Sequence, residues 1–213
     1  GFDMRGHGTS EGRRGHVESY ADFLSDFGAM LDLVTRERGK VPFVLAHSNG
    51  ALIATLYALG QPKAIGGMVL TSPYFKNAIK PNLLELFLAH VVGRVAPTLG
   101  VKPPLPNALL THDEQWLARI EKDSLRGNSL TPRWYRSLLA SQDEVMTRAS
   151  ELTIPFLILQ AGEDKVANPQ AAREFSERAT SADKKYVEYS NLFHEIFMEK
   201  EAEPSCRETH SVS

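Results

Sequence analysis

Residues 41–60 read VPFVLAHSNGALIATLYALG. The first part, residues 41–46, is short, apolar and rich in β-forming side chains, whereas residues 51–59 are apolar at nearly every position. Gly60 and Pro62 then supply the residues that commonly end a helix. This pattern predicts a buried strand, a tight turn and a buried helix.

The predicted turn contains Ala46-His47-Ser48-Asn49-Gly50, in which small residues stand two before and two after a serine. This is the spacing of a nucleophile elbow, a sharp and strained turn that neighbouring backbone approaches closely. Ser48 would then stand at a helix N-terminus, where backbone N–H groups stabilise an oxyanion. The alternative is a serine that only caps the helix.

Further apolar runs at residues 65–72, 154–160 and 186–189 predict three more strands. Amphipathic spacing predicts a helix within residues 18–38, and another helix is expected near residues 169–178. Because helices and strands alternate, we expect an α/β fold with a mostly parallel sheet. Residues 73–150 interrupt the alternation with helices and proline-rich loops, so they are predicted to form an insertion.

Composition narrows the function further. The chain has 213 residues and one cysteine, enough for one domain with its own core and too few cysteines for a disulfide scaffold. With 24 Lys and Arg against 26 Asp and Glu, the net charge is −2, and no basic run is present to bind nucleic acid. The sequence has neither an apolar stretch long enough to span a bilayer nor a signal-peptide pattern, so a cytoplasmic protein is expected.

A nucleophilic serine needs a base, and the base needs a carboxylate that orients it. Asp164 follows the predicted strand at residues 154–160, and Glu163 beside it is the alternative acid. His194 follows the last predicted strand, 30 residues after Asp164. All of these residues lie at the carboxyl ends of parallel strands, where sites form in open α/β sheets. No metal-ligand cluster is evident, and this chemistry requires no cofactor.

A glycine-rich segment at residues 3–12 predicts a tight loop. It lacks the spacing of the known phosphate-binding loops, which makes phosphate binding a poor explanation. We expect Arg5 and His7 to form hydrogen bonds within the domain that brace the serine turn.

Taken together, these residues resemble the α/β-hydrolase superfamily, and within it the monoacylglycerol lipase and lysophospholipase-like group, also labelled serine aminopeptidase-like. The matching segments are Asp3-x-Arg5-Gly6-His7-Gly8-x-Ser10-x-Gly12, Ala46-His47-Ser48-Asn49-Gly50, Gln160-Ala161-Gly162-Glu163-Asp164-Lys165-Val166, His194-Glu195, and Leu110-Thr111-His112-Asp113 with Asp123-Ser124-Leu125. The resemblance extends from Phe2 to about Glu199.

The resemblance implies a hydrolase with Ser48 as nucleophile, His194 as base and then acid, and Asp164 as the orienting carboxylate. The backbone N–H of Asn49 would be one oxyanion donor. Residues 1–72 and 151–199 would form the hydrolase core, and residues 73–150 a helical cap over the acyl pocket. The apolar stretch at 83–92 is either a buried cap helix or a lid that contacts lipid weakly.

The chain departs from the family pattern at both ends. No segment corresponds to the family's first strands or to the His-Gly loop that supplies a second oxyanion donor, so an N-terminally truncated fold is expected. Residues 41–46 would then form an apolar sheet edge, through which a homo-oligomer could assemble. Residues 200–213 form a polar tail whose composition is compatible with disorder.

Two functions follow from these observations. The first is a serine hydrolase that cleaves carboxylic esters such as monoacylglycerol, lysophospholipid or simple short- to medium-chain esters through an acyl-enzyme. The second is a weak or inactive truncated hydrolase fold that acts as an interaction module or needs a completing partner. The complete set of serine, acid and histidine favours the first, and the absent strands favour the second.

Overall fold

The computed structural model describes residues 1–79, 91–102, 105–127 and 129–200. Within these ranges the strands are β1 (Phe43–His47), β2 (Gly67–Thr71), β3 (Phe156–Ala161) and β4 (Lys184–Tyr189). They form one sheet in the order β1-β2-β3-β4, and every neighbouring pair is parallel. The α/β class and the parallel sheet predicted from the sequence are confirmed.

The helices with full bounds are α1 (Tyr20–Arg38), α2 (Ser48–Gly60), α3 (Glu114–Lys122), α4 (Pro132–Thr147) and α5 (Pro169–Arg178). Residues 91–95 are also helical. Local sequence explains where the helices begin and end. Ser19 starts α1 with a reciprocal capping box to Asp22, and Gly39 ends it in the left-handed conformation. Asn168 caps α5, and a proline occupies its first turn.

Helix α2 is apolar around most of its circumference, and the structure accordingly buries residues 51–56, 58 and 59. Its residues Leu52, Ile53 and Leu56 belong to the main hydrophobic cluster, together with Met68 of β2 and Leu138 of α4. All residues of β3 are buried as well. Parallel strands covered on both faces consist of nearly continuous apolar residues, and β3 follows this rule.

Strands β2 and β3 are neighbours in the sheet, with Leu70 opposite Ile158, although more than eighty residues separate them in sequence. The segment that connects these two paired strands includes α3 and α4, and its assignment as an insertion stays a prediction. Of the predicted apolar stretch at 83–92, residues 83–90 lie outside the described residues, as do residues 201–213 of the polar tail.

Strand β1 lies at one edge of the described sheet. The side chains of Phe43 and Leu45 are 68% and 63% exposed, so the edge is apolar, as the sequence predicted. In the part of the chain that the structure describes, no helix combines the length and the apolar character needed to cross a membrane.

Candidate active site

Three strand ends bring the predicted site residues together. Ser48 directly follows β1, Asp164 lies three residues beyond β3, and His194 lies in the segment after β4. Because the strands are parallel, their carboxyl ends share one edge of the sheet, and the three side chains meet there. Strand topology thus joins groups that are up to 146 residues apart in sequence.

The three side chains form a continuous hydrogen-bonded chain. The hydroxyl Oγ of Ser48 lies 2.8 Å from Nε2 of His194, and Nδ1 of His194 lies 2.7 Å from Oδ2 of Asp164. An ionised carboxylate only accepts hydrogen bonds, so Nδ1 carries the proton and Nε2 is free to accept from the serine. The Asp164 and His194 side chains are almost completely buried, at 0% and 3% exposure.

The backbone at Ser48 has a left-handed conformation, with φ of +52°, that serine rarely adopts. His47 before it is extended, so the chain turns sharply from β1 into α2 at this residue. The N–H of Tyr74, in the segment after β2, donates to the Ser48 carbonyl at 3.1 Å and stabilises the turn. The expected strain is therefore located at Ser48. The close approach expected at this turn is not seen at Gly50, where a Cβ would meet no described atom outside its own helical turn within 4 Å.

Asp164 is held by the loop that follows β3. Its Oδ1 accepts hydrogen bonds from the N–H groups of Val166 and Ala167 at 2.8 and 2.9 Å. Its Oδ2 accepts the hydrogen bond from Nδ1 of His194 and a longer one, at 3.4 Å, from Nε2 of Gln160. Glu163, the alternative acid, is exposed, and among the described residues its side chain accepts no hydrogen bond, while its backbone N–H donates to the Leu192 carbonyl. The geometry therefore favours Asp164 over Glu163.

The segment that carries His194 is anchored by Glu199, a residue that sequence reasoning did not identify. The Glu199 side chain is 3% exposed and accepts hydrogen bonds from the backbone N–H groups of Phe193 and His112, and from the His112 ring. The His112 ring also packs on the Phe193 ring, with their centroids 3.7 Å apart. A buried carboxylate thus joins the histidine segment to the segment between β2 and β3.

Asn49 is also held by a residue that the sequence did not reveal. The hydroxyl of Tyr20 in α1 donates to Oδ1 of Asn49 at 2.6 Å. Burial, with a smaller contribution from Tyr74, raises the pKa of Tyr20, so its hydroxyl stays protonated and can donate. Asn49 lies in the first turn of α2, where backbone N–H groups have no partner within the helix. Its N–H is therefore suitably placed to receive an oxyanion beside Ser48.

The glycine-rich loop does not brace the serine turn directly, in contrast to our expectation. Arg5 binds both carboxylate oxygens of Asp26 in α1 at 2.6 Å, and the His7 ring contacts the Arg5 carbonyl. The loop therefore fixes α1, and α1 in turn holds Asn49 through Tyr20.

Comparison with known proteins identifies the family to which the chain belongs. The family model described as serine aminopeptidase, S33 matches residues 1–201. The chain belongs to this family. It is an α/β hydrolase of the monoacylglycerol lipase and lysophospholipase-like group, as the sequence motifs had indicated.

Individual members of the family show the same likeness. The chain is 32% identical over 203 residues to the phospholipase YtpA of Bacillus subtilis, a match that covers 94% of this chain and 78% of that protein. It is 30% identical over 200 residues to the human monoglyceride lipase, covering 92% of this chain and 66% of the human protein. The crystal structure of the Paleococcus ferrophilus monoacylglycerol lipase superposes with a TM-score of 0.89 at 29% identity, covering 98% of this chain and 79% of that one.

Proposed function

We propose that this chain is a serine hydrolase that cleaves carboxylic esters through an acyl-enzyme. Ser48 is the nucleophile, His194 the general base and then acid, Asp164 the orienting carboxylate, and the Asn49 N–H an oxyanion donor. The observation that carries the proposal is the chain of hydrogen bonds from Ser48 through His194 to Asp164, at 2.8 and 2.7 Å.

The proposed reaction proceeds in two halves. Ser48 attacks the ester carbonyl while Nε2 of His194 takes its proton, and the developing oxyanion is stabilised by the N–H of Asn49. His194 then donates that proton to the leaving alcohol, which departs and leaves an acyl group on Ser48. A water molecule, activated by His194, repeats the attack and releases the carboxylic acid.

The substrate class is proposed from the relatives. Three of these relatives are named phospholipase, monoacylglycerol lipase and monoglyceride lipase. We infer that the substrate is a small acyl ester, such as a monoacylglycerol, a lysophospholipid or a simple short- to medium-chain ester. In this proposal residues 73–150 form the cap over the acyl group.

The interaction-module alternative has less support than hydrolysis. It would leave unexplained why a strained serine, a buried histidine and a buried aspartate lie at hydrogen-bonding distance. Pairing of the apolar β1 edge with a second copy, and weak contact of the cap with a lipid surface, stay predictions. Light scattering over a range of concentrations measures the first, and sedimentation with phosphatidylcholine vesicles measures the second.

The proposed function is tested with p-nitrophenyl butyrate, octanoate and palmitate, and with a fluorophosphonate that labels activated serines. Ser48→Ala should abolish labelling and lower kcat by roughly 10⁶-fold. Asp164→Asn should lower kcat by roughly 10⁴-fold. Ser72→Ala is the matched control, because Ser72 follows β2 as Ser48 follows β1 and should keep both activity and labelling. Activity that persists in Ser48→Ala would refute the proposal.

A further inference from the structure

A second polar chain runs beside the three proposed catalytic residues. Nε2 of His47 lies 3.3 Å from Oε2 of Glu195, at ion-pair distance although not aligned as a hydrogen bond. Nδ1 of His47 lies 2.9 Å from Oγ1 of Thr71. The His47 ring also contacts the His194 ring, with centroids 4.8 Å apart and planes inclined by 53°.

Both ends of this second chain are fixed by the fold. His47 and Thr71 are opposite each other at the ends of β1 and β2, and Thr71 is completely buried. Glu195 directly follows His194, and its backbone N–H donates to the Leu110 carbonyl at 2.8 Å. His47 is therefore held between a buried hydroxyl, a carboxylate and the ring of His194.

The charges around this chain indicate that Glu195 is ionised. Burial alone would raise the pKa of the Glu195 carboxyl, but the contact with His47 and the charges of His47, His194 and Arg126 outweigh burial and lower that pKa. His47 lies at the end of β1, His194 in the segment after β4, and Arg126 between α3 and α4. His194 itself faces Asp164, Glu195, His47 and the hydroxyl of Ser48.

We propose that Glu195 is a positioning residue for His194: through His47 it holds the plane of the His194 ring, and it adds a second negative charge to that of Asp164. This inference rests on the proposed function. When His194 takes the Ser48 proton it becomes cationic next to His47, and a cationic His47 would repel it. The Glu195 carboxylate, at ion-pair distance from His47, offsets positive charge on either ring, so that His194 can accept the proton.

The inference predicts pH shifts of opposite sign for the two members of the pair. Glu195→Gln removes a negative charge that favours the protonated form of His194. The acid limb of kcat/KM should therefore move to lower pH, by roughly half a unit to one unit. His47→Gln removes the group at ion-pair distance from Glu195, so the carboxylate acts on His194 alone and the same limb should move to higher pH.

The test measures kcat and KM for p-nitrophenyl butyrate against pH in both variants and in Glu195→Asp. In Glu195→Gln, kcat should fall by roughly 3- to 10-fold with KM changed less than about twofold, since a nearby charge shifts proton affinity by about one unit. Glu195→Asp should recover part of the loss. Glu144→Gln is the matched control. It breaks the ion pair between Glu144, which lies in α4, and Arg148, and it should leave the pH profile of kcat/KM unchanged.

Titration of the His194 ring by NMR in the same proteins gives a second readout that does not depend on turnover. Acid limbs and NMR midpoints that stay at the wild-type pH in both Glu195→Gln and His47→Gln would overturn the inference. Shifts of the same sign in both variants would overturn it too, because they would indicate a general loosening. Ser48→Ala keeps the two proposals apart: activity retained there refutes the hydrolase mechanism, whereas unchanged pH profiles with an inactive Ser48→Ala refute only the role of Glu195.

Discussion

Ser48 and Ser72 follow two neighbouring parallel strands with the same unusual backbone, with φ of +52° and +41°. The last residues of β1 and β2, His47 and Thr71, are opposite each other in the sheet, so the two serines leave it at the same level. The proposed mechanism uses the strain at Ser48, because the turn presents its hydroxyl to His194. It gives no role to the side chain of Ser72.

Replacing Ser72 by glycine should stabilise the protein. Ser72 is completely buried, and among the described residues its hydroxyl has no hydrogen-bond partner. Glycine would relieve the left-handed strain, worth about 1–2 kcal/mol, and remove the unpaired hydroxyl, against an entropic cost of about 0.5–1 kcal/mol. Thermal unfolding should show a gain of about 1 kcal/mol, or a melting temperature about 2–4 °C higher. A lower melting temperature would mean that the Ser72 hydroxyl has a structural role.

Gly15 should tolerate no side chain. Its φ is +60°, and a Cβ built on it would lie 1.7 Å from the Ser129 carbonyl oxygen, which belongs to the backbone and cannot simply rotate away. Gly15→Ala should cost roughly 3 kcal/mol of unfolding free energy, from overpacking together with left-handed strain. Gly39→Ala is the matched control, because Gly39 has φ of +65° but a Cβ there would meet no described atom within 4 Å beyond its chain neighbours, and it should cost only about 1 kcal/mol. Urea unfolding measures both, and equal losses would contradict the steric argument.

Tyr20→Phe should affect both stability and turnover. It removes the 2.6 Å hydrogen bond to Oδ1 of Asn49 and should cost about 1 kcal/mol of unfolding free energy. Because Asn49 carries the proposed oxyanion donor, kcat should also fall, with KM largely preserved. A double-mutant cycle with Asn49→Ala should give a coupling energy of about 1 kcal/mol. Strictly additive effects would show that the bond does not connect the two residues energetically.

The sequence was sufficient to predict the sheet and the meeting of Ser48, Asp164 and His194. Each of these residues follows an apolar run. The carboxyl ends of parallel strands lie at one edge of the sheet, so residues that follow them meet there regardless of their separation along the chain. The apolar runs and the alternation of helices with strands therefore carried the prediction. Helix α1 was predictable from its amphipathic spacing, whereas its caps Ser19 and Gly39 were not identified from the sequence.

The supporting contacts were not predictable, because they depend on how elements pack rather than on local pattern. Tyr20 reaches Asn49 across 29 residues, and Glu199 reaches His112 across 87. Tyr20 lies on the buried face of α1, a position that predicts burial but not its partner, and nothing in the local pattern marks Glu199. Arg5 illustrates the same difficulty: its place in a glycine-rich loop suggested a contact with the serine turn, whereas its partners are Asp22 and Asp26 in α1.

Glu199 offers a test of how firmly the histidine segment must be held. Its buried carboxylate accepts from two backbone N–H groups, those of Phe193 and His112, and from the His112 ring. In Glu199→Ala both N–H groups lose their acceptor, which should cost about 2–4 kcal/mol and lower kcat by displacing His194. Glu199→Gln keeps one acceptor oxygen and should lose less. Glu121→Ala on the exposed face of α3 is the control and should change stability by less than about 0.5 kcal/mol. Urea unfolding and ester hydrolysis measure the two effects; if Glu199→Ala lowers stability yet keeps wild-type kcat, the contact supports the fold without positioning the histidine.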